Sequence, residues 1–402
     1  MGTIHLNLLL VNNFHIINLE VCMKKKILIT YASYGNGHKA IANYIATYFK
    51  KEDPELEIAT LDLITYSMKI VGPWSKRANS FLMLNMPYVH DFFYKVFNSK
   101  VGGRIADESS MILFKNKKMA EMIGGFNPDL TISTHFFGSS LITHYNRKGI
   151  TKSKLITVVT DYEAHELWIN DYKTDDYIIV GNNNEAKALT KRGVDAKKIK
   201  VFGIPIAPNV NDDFNRAKAL EKYNISGLKL ICLFFGGGGN GSVATLPYVK
   251  KVIKDNPNID FIFVGGNNKV SKEFIDNWIR KYELKNVTSI GFTKEVPELL
   301  QLADFVISKP GGVQSTECLY FKKPILMITP SGGQEIANYK YFEEMGYGKF
   351  FHTSWGLNKY VNYIEKNPNV IQDFAKNMSK NHNEEAMGKM YKLTEELLKS
   401  DK

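Results

Sequence analysis

Cysteine is scarce in this chain: three in 402 residues, Cys22, Cys232 and Cys318, with no CxxC pair. That spacing argues against a disulfide framework and against a thiolate zinc site, and it fits a reducing compartment. The nine histidines form no HxxxH or HExxH pair, so a local histidine metal site has no support. No apolar run is long enough to span a bilayer. Low-complexity tracts and internal repeats are missing, which rules out collagen-like, solenoid and long disordered architectures. Residues 1–22 are apolar, but no Lys or Arg precedes the apolar stretch and no small-residue cleavage site follows it, so they do not read as a signal peptide. Met23-Lys24-Lys25-Lys26 before a strand pattern looks like a natural start, and 1–22 reads as an N-terminal extension.

What is present is ordinary globular material, 44% hydrophobic and 23% charged, in a length that predicts two domains. The net charge of +11 favours a polyanionic partner: nucleic acid, an anionic membrane or a phosphorylated substrate. Apolar runs at 26–31, 57–63, 129–134, 154–160, 176–180 and 199–203 read as buried strands separated by helical spacing such as 38–51 and 185–192. Two prolines in four residues, Pro205 and Pro208, break the pattern. It restarts with 228–236, 260–265, 286–291, 303–308 and 323–328 and closes with a helix near 384–399. The chain therefore divides into an N-terminal domain 23–205, a linker 206–224 and a C-terminal domain 225–402. The fold class is α/β, two facing Rossmann-like domains with a cleft between them.

Segment 66–118 interrupts the first half. It carries nine Lys/Arg against three acids, with nine aromatics interleaved. Lys76, Arg77, Trp74, Phe81, Phe92 and Phe93 have the chemistry of an interfacial membrane segment: cations for lipid phosphate and rings for the headgroup boundary. A pair of amphipathic core helices with a solvated basic face is the alternative.

Three loops could carry chemistry. Tyr34-Gly35-Asn36-Gly37-His38 links the first strand to a helix, so His38 sits at a strand's carboxyl end, as a general base or as a plain helix cap. The glycines at 236–239 and 241 satisfy G-x-G-x-x-G, but the next strand ends in Gly265-Gly266 with no ribose-binding acid, and Ser242 replaces the lysine a Walker A loop needs. Diphosphate cradling by backbone N–H groups survives as a reading, beside a plain tight turn. The third, Ser308-Lys309-Pro310-Gly311-Gly312-Val313-Gln314-Ser315-Thr316-Glu317, is a strand end, a Gly-Gly turn and a helix start, suited to phosphate. Glu317 could accept both ribose hydroxyls, and Gln334 and Glu335 after the next strand could read a sugar.

In this order and spacing, SKPGGVQSTE…PILMITPSGGQE resembles the donor-nucleotide region of the monogalactosyldiacylglycerol synthase / processive diacylglycerol glucosyltransferase family. YGNGHKAIANYI, VVTDYEAHELWI (158–169) and IKVFGIPI (199–206) resemble further segments of that family. The resemblance runs from about Met23 to Phe350 and implies a GT-B-type fold. It implies that His38 is the base on the acceptor hydroxyl, with Gly35, Gly37, Asp161 and His165 lining the acceptor side of the cleft. Gly311, Gly312 and Thr316 would form the donor-phosphate turn, Glu317 would hold the ribose, and Gln334 and Glu335 the donor sugar. Gly238, Gly239 and Asn240 would face the diphosphate, and Phe292 and Thr293 would meet the uracil. Asn338 lies one helical turn beyond the sugar-reading pair. Val313-Gln314 and the four-glycine loop depart from the family pattern without removing a charged group.

The expected activity is inverting transfer of a hexose from a uridine diphosphate (UDP) sugar to diacylglycerol or a glycosyl-diacylglycerol, with neither metal nor other cofactor. The expected location is cytoplasmic, peripheral on the inner face of the cell membrane, with an anionic membrane surface as partner and no nucleic acid. Glucose and galactose both remain open as the donor sugar. The alternatives are a UDP-sugar epimerase of the same fold, or a non-catalytic basic binder of membrane or nucleic acid.

Overall fold

The computed structural model of the protein describes residues 24–33, 36–67, 96, 98–169, 172–206, 214–236, 243–267, 269–330, 332–381 and 383–400. The apolar runs form two six-stranded sheets, parallel at every pairing. Parallel strands covered on both faces need apolar side chains on both, which is why the central strands read as continuous runs and not as alternations. The first sheet comprises β1 (Lys26–Tyr31), β2 (Glu57–Asp62), β3 (Leu130–Ser133), β4 (Lys154–Val158), β5 (Tyr177–Val180) and β6 (Ile199–Val201), in the order β2-β1-β3-β4-β5-β6. The second comprises β7 (Leu230–Phe235), β8 (Ile259–Val264), β9 (Val287–Ile290), β10 (Phe305–Ser308), β11 (Ile325–Ile328) and β12 (Gly348–Phe351), in the order β12-β11-β10-β7-β8-β9.

Each order reverses direction once, between β1 and β3 in the first sheet and between β7 and β10 in the second. Ligands of open parallel sheets bind outside the carboxyl ends of the strands at such reversals. His38 follows β1, and Thr134 and His135 follow β3; Gly236 follows β7, and Lys309 to Gly312 follow β10.

Three features lie outside the sequence reading. Strand β12 was not foreseen: it is an edge strand of only four residues whose two middle positions, Lys349 and Phe350, are not buried. Within the segment 206–224 read as linker, Arg216–Lys222 is a helix packed on the C-terminal half: Arg216 donates to the Leu302 carbonyl at 3.0 Å, and Ala219 and Tyr223 are buried. The closing helix, Ala386–Lys399, returns to the N-terminal half. The Tyr391 ring meets Phe49 edge-on at 5.1 Å, and Lys154 Nζ donates to the carbonyls of Leu397 and Ser400 at the end of the helix. One buried cluster consequently runs through both halves, from Ile27, Ile45 and Phe49 by way of Tyr162 to Ile231, Val306 and Leu393.

Candidate functional site

Helix Asn36–Glu52 buries Ile41, Ile45 and Phe49, one stripe at helical spacing, and this docking fixes His38 in its first turn. The imidazole is partly buried. Its Nδ1 lies 2.8 Å from the Thr134 carbonyl, which can only accept, so Nδ1 carries the proton and Nε2 is the basic nitrogen. Thr160 Oγ1 is 3.0 Å from the same Nδ1. Thr134 completes the arrangement, its hydroxyl donating to the His38 carbonyl at 3.0 Å.

Around His38 stands a cup of rings: His135 edge-on at 4.7 Å and Trp168 at 6.5 Å, with Phe136 between His135 and His165. His135, His165 and Trp168 are buried, and Trp168 Nε1 has no hydrogen-bond partner among the described residues. Burial lowers the pKa of all three histidines, His135 well below the ordinary range and His165 to about 3. For His38 the Asp161 carboxylate and the Thr134 carbonyl oppose that shift. His165, expected to line the cleft, packs against Phe136 and Trp168.

The C-terminal half meets this cup directly. Helix Gly312–Tyr320 starts against the end of β4: a Cβ on Gly312 would lie 2.2 Å from the Thr160 carbonyl and 2.9 Å from Asp161 Oδ1. A Cβ on Gly37 would lie 3.2 Å from Val313 Cγ2. Glycine at 312, the second of the pair, is thus required by domain contact, a reason the phosphate reading of the sequence did not contain, whereas nothing stands within 4 Å of a Cβ on Gly311. The Thr316 hydroxyl, expected at the phosphate, donates to the Gly312 carbonyl at 2.7 Å and meets Tyr162 Oη at 2.9 Å. Glu317 Oε1 accepts from Tyr44 Oη at 2.9 Å, across the cleft; burial pushes the carboxyl up to about 7 and the Tyr44 bond opposes this.

Asp161 and Asn338 join the halves. Asn338 is fully buried; its amide donates to Asp161 Oδ1 at 3.1 Å and to the Pro310 carbonyl at 2.9 Å, and its Oδ1 accepts from Tyr162 N at 2.9 Å. Burial raises the Asp161 pKa, while His38 and the Asn338 bond act the other way. The Tyr162 ring reaches across to the C-terminal half, stacking on Tyr341 at 4.8 Å and edge-on to Phe342 at 5.0 Å. Asn182 Nδ2 holds the Tyr162 carbonyl at 3.2 Å.

Gln334 and Glu335 are partly buried in the first turn of helix Gly333–Glu344, beyond a loop in which the β-branched Thr329 adopts φ 42, a costly left-handed conformation. Phe292 and Thr293 stand further off, at the carboxyl end of edge strand β9; Phe292 is 62% exposed and Thr293 Oγ1 accepts from Glu295 N at 3.0 Å. Gly35, Gly238, Gly239, Asn240, Trp74, Lys76, Arg77, Phe81, Phe92 and Phe93 lie outside the described residues. Among the described residues no three His, Cys, Asp or Glu side chains converge as metal ligands, and no helix is long and apolar enough to cross a membrane. Sequence reasoning missed Tyr44, Thr134, His135 and Thr160. Only His135 carried a local signal, a histidine just past a strand's carboxyl end.

Comparison with known proteins gives the following. Residues 38–206 match the monogalactosyldiacylglycerol (MGDG) synthase family model, and residues 231–395 match the glycosyltransferase family 28 C-terminal domain. A processive diacylglycerol beta-glucosyltransferase of Bacillus pumilus is 27% identical over 354 residues, 88% of each chain. Among solved structures, Acinetobacter baumannii MurG aligns with a TM-score of 0.56 at 12% identity, covering 92% of this chain and 99% of its own. A putative UDP-N-acetylglucosamine 2-epimerase from Listeria monocytogenes aligns with a TM-score of 0.59 at 13% identity, covering 94% and 98%. These neighbours share the two-domain fold, which is that of GT-B glycosyltransferases.

Proposed function

We propose, on the premise that the chain belongs to the monogalactosyldiacylglycerol synthase / processive diacylglycerol glucosyltransferase family, that it transfers a hexose from a UDP-sugar to diacylglycerol with inversion at the anomeric carbon. The observation that carries this reading is the meeting of the two halves at one point. The base candidate His38 and the start of the donor helix at Gly312 share the neighbour Thr160, whose hydroxyl is 3.0 Å from the imidazole and whose carbonyl lies against the glycine.

In this mechanism His38 Nε2 takes the proton of the acceptor hydroxyl as that oxygen attacks the anomeric carbon. The bond from that carbon to the diphosphate breaks on the opposite face, and UDP leaves with the electron pair. Nδ1 stays bonded to the Thr134 carbonyl throughout, and the nearby Asp161 carboxylate stabilises the imidazolium that forms. The N-terminus of helix Gly312–Tyr320 and the glycine-loop amides stabilise the charge on the leaving diphosphate, the electrostatic contribution that usually dominates such steps. No divalent metal is part of the proposal.

The acceptor lives in a bilayer, and the described end of the basic segment has a face suited to one. On helix Lys100–Phe114, Ile105 and Ile112 are seven residues apart and 61% and 75% exposed, Leu113 is 51% exposed, and Arg104, Lys115, Lys117 and Lys118 flank them. An epimerase would keep the fold without such a face, and both matching family models are of glycosyltransferases.

The deciding experiment measures UDP release from UDP-glucose and UDP-galactose, with and without diacylglycerol vesicles, in the presence of chelator. Lipid-dependent release that survives chelator and disappears in His38→Ala is expected. Release that needs no lipid, or that persists in His38→Ala, would overturn the mechanism.

A further inference from the structure

Helices Asn36–Glu52 and Gly312–Tyr320 lie against each other across the cleft. Val313 and Glu317, one turn apart, face Gly37 and Tyr44, two turns apart. Tyr44 is thus the one residue among those described on the first helix whose side chain donates to a carboxylate of the other domain. Among the described residues Glu317 Oε1 has this tyrosine as its hydrogen-bond partner, while Oε2 has none. A carboxylate must be ionised to accept strongly from sugar hydroxyls, yet burial at this interface favours its neutral form. The tyrosine hydroxyl is the group that counters burial there. It also fixes the rotamer, leaving the second oxygen to a ligand.

Resting on the UDP-sugar reading above, we propose that Tyr44 is a positioning residue for the donor's ribose, supplied by the acceptor domain: it orients the Glu317 carboxylate so that Oε2 accepts from the ribose hydroxyls. Tyr44 stands on the helix that carries His38. Its contact with Glu317 exists only while the two domains are together. The nucleotide therefore binds the assembled arrangement better than the separated one, and by linkage its binding favours the arrangement in which the base faces the donor. The geometry makes donor binding and assembly of the catalytic site one event.

The test is isothermal titration of the full chain and its Tyr44→Phe variant with UDP and with 2′,3′-dideoxyuridine diphosphate. Phenylalanine keeps the ring and its packing, and the melting curve checks that the fold is kept. A hydrogen bond to a charged group lost at the ribose site predicts about tenfold weaker binding of UDP. Binding of the dideoxy nucleotide, which has no hydroxyl for Glu317 to hold, is expected to change less than twofold. In turnover, KM for the UDP-sugar rises and kcat moves less. Equal losses for both nucleotides would show a merely structural role and overturn the proposal. Unchanged UDP binding would overturn it, and so would tighter binding, which would make Tyr44 a competitor for the carboxylate. A wild-type protein that binds neither nucleotide refutes the UDP-sugar reading itself, an outcome distinct from a variant that matches a binding wild type.

Discussion

Gly312→Ala tests whether the site is assembled by domain contact. The residue sits at the first position of helix Gly312–Tyr320 with an ordinary negative φ, so alanine suits its own backbone and is the better helix former by up to about 1 kcal/mol. The obstacle comes from the other domain. The new Cβ would lie 2.2 Å from the Thr160 carbonyl, where ordinary contact begins at 3.4 Å, so the helix and the end of β4 must part by about 1.2 Å. The carbonyl is backbone and cannot rotate away. The second close atom, Asp161 Oδ1 at 2.9 Å, is held by Asn338. On the proposed mechanism, a displacement of this size between His38 and the donor is expected to cost roughly a hundredfold in kcat, as misplacements of about 1 Å do when reacting groups must be aligned. Small-angle scattering without ligand should show the domains rearranged, while denaturant unfolding of the C-terminal half should be unchanged or slightly raised. Gly311→Ala is the control: nothing stands within 4 Å of its Cβ and its φ is −71°, so the ligand-free domain arrangement should be that of the wild type. A Gly312→Ala protein with wild-type scattering and kcat within twofold would refute the reasoning.

Asn338→Ala removes three hydrogen bonds and strands the buried Asp161, Tyr162 N–H and Pro310 carbonyl; about 3 kcal/mol is expected in urea unfolding, and an unmoved midpoint would contradict the bridge. His135 and His165 are held neutral, with folded pKa values below the unfolded 6.5, so the unfolded chain binds more protons as pH falls. Their contribution is whole above pH 6.5 and is lost on descent towards about 3, and His165→Asn should flatten the urea midpoint's pH dependence in that window. Glu317 works in the opposite sense: its stability contribution is whole below its ordinary 4.5 and is lost as pH rises through about 7, so Glu317→Gln should steepen the rise of stability with pH between those values. Lys154→Ala removes the ammonium that caps the closing helix, at a cost of about 1–2 kcal/mol. Hydrogen exchange at Leu393 to Leu397 should accelerate, and unchanged protection would mean that apolar packing alone seats the helix.

Membrane contact has its own check. Ile112→Asp, on an exposed position of helix Lys100–Phe114, should weaken cosedimentation with anionic vesicles severalfold while leaving the melting temperature unchanged. Equal binding by wild type and variant would remove that face from the membrane reading.

Much of the architecture could be read from the chain because its information is local. Central parallel strands buried on both faces must be apolar along their length and so announced themselves; of the four edge strands among the described residues, β2, β6 and β9 still carried readable apolar stretches and the short β12 did not. Glycines and a histidine just past strand ends likewise marked where the switch points would fall, before any contact was known. The reasons behind several of those residues were not local. Gly312 is small because Thr160 is there; Glu317 faces Tyr44 across 273 positions; Asn338 reaches Asp161 across 177; and the proton on His38 Nδ1 is placed by Thr134, 96 residues on. No period or motif encodes a pairing at such separations, since each partner satisfies its own segment's rules whether or not the other is near. The amino-acid order thus determined the strands, the glycine turns and the pool of candidate groups. Only the packing of one domain on the other decided which of them share a site, because hydrogen bonding, burial and proton affinity depend on distance in space and not on distance along the chain.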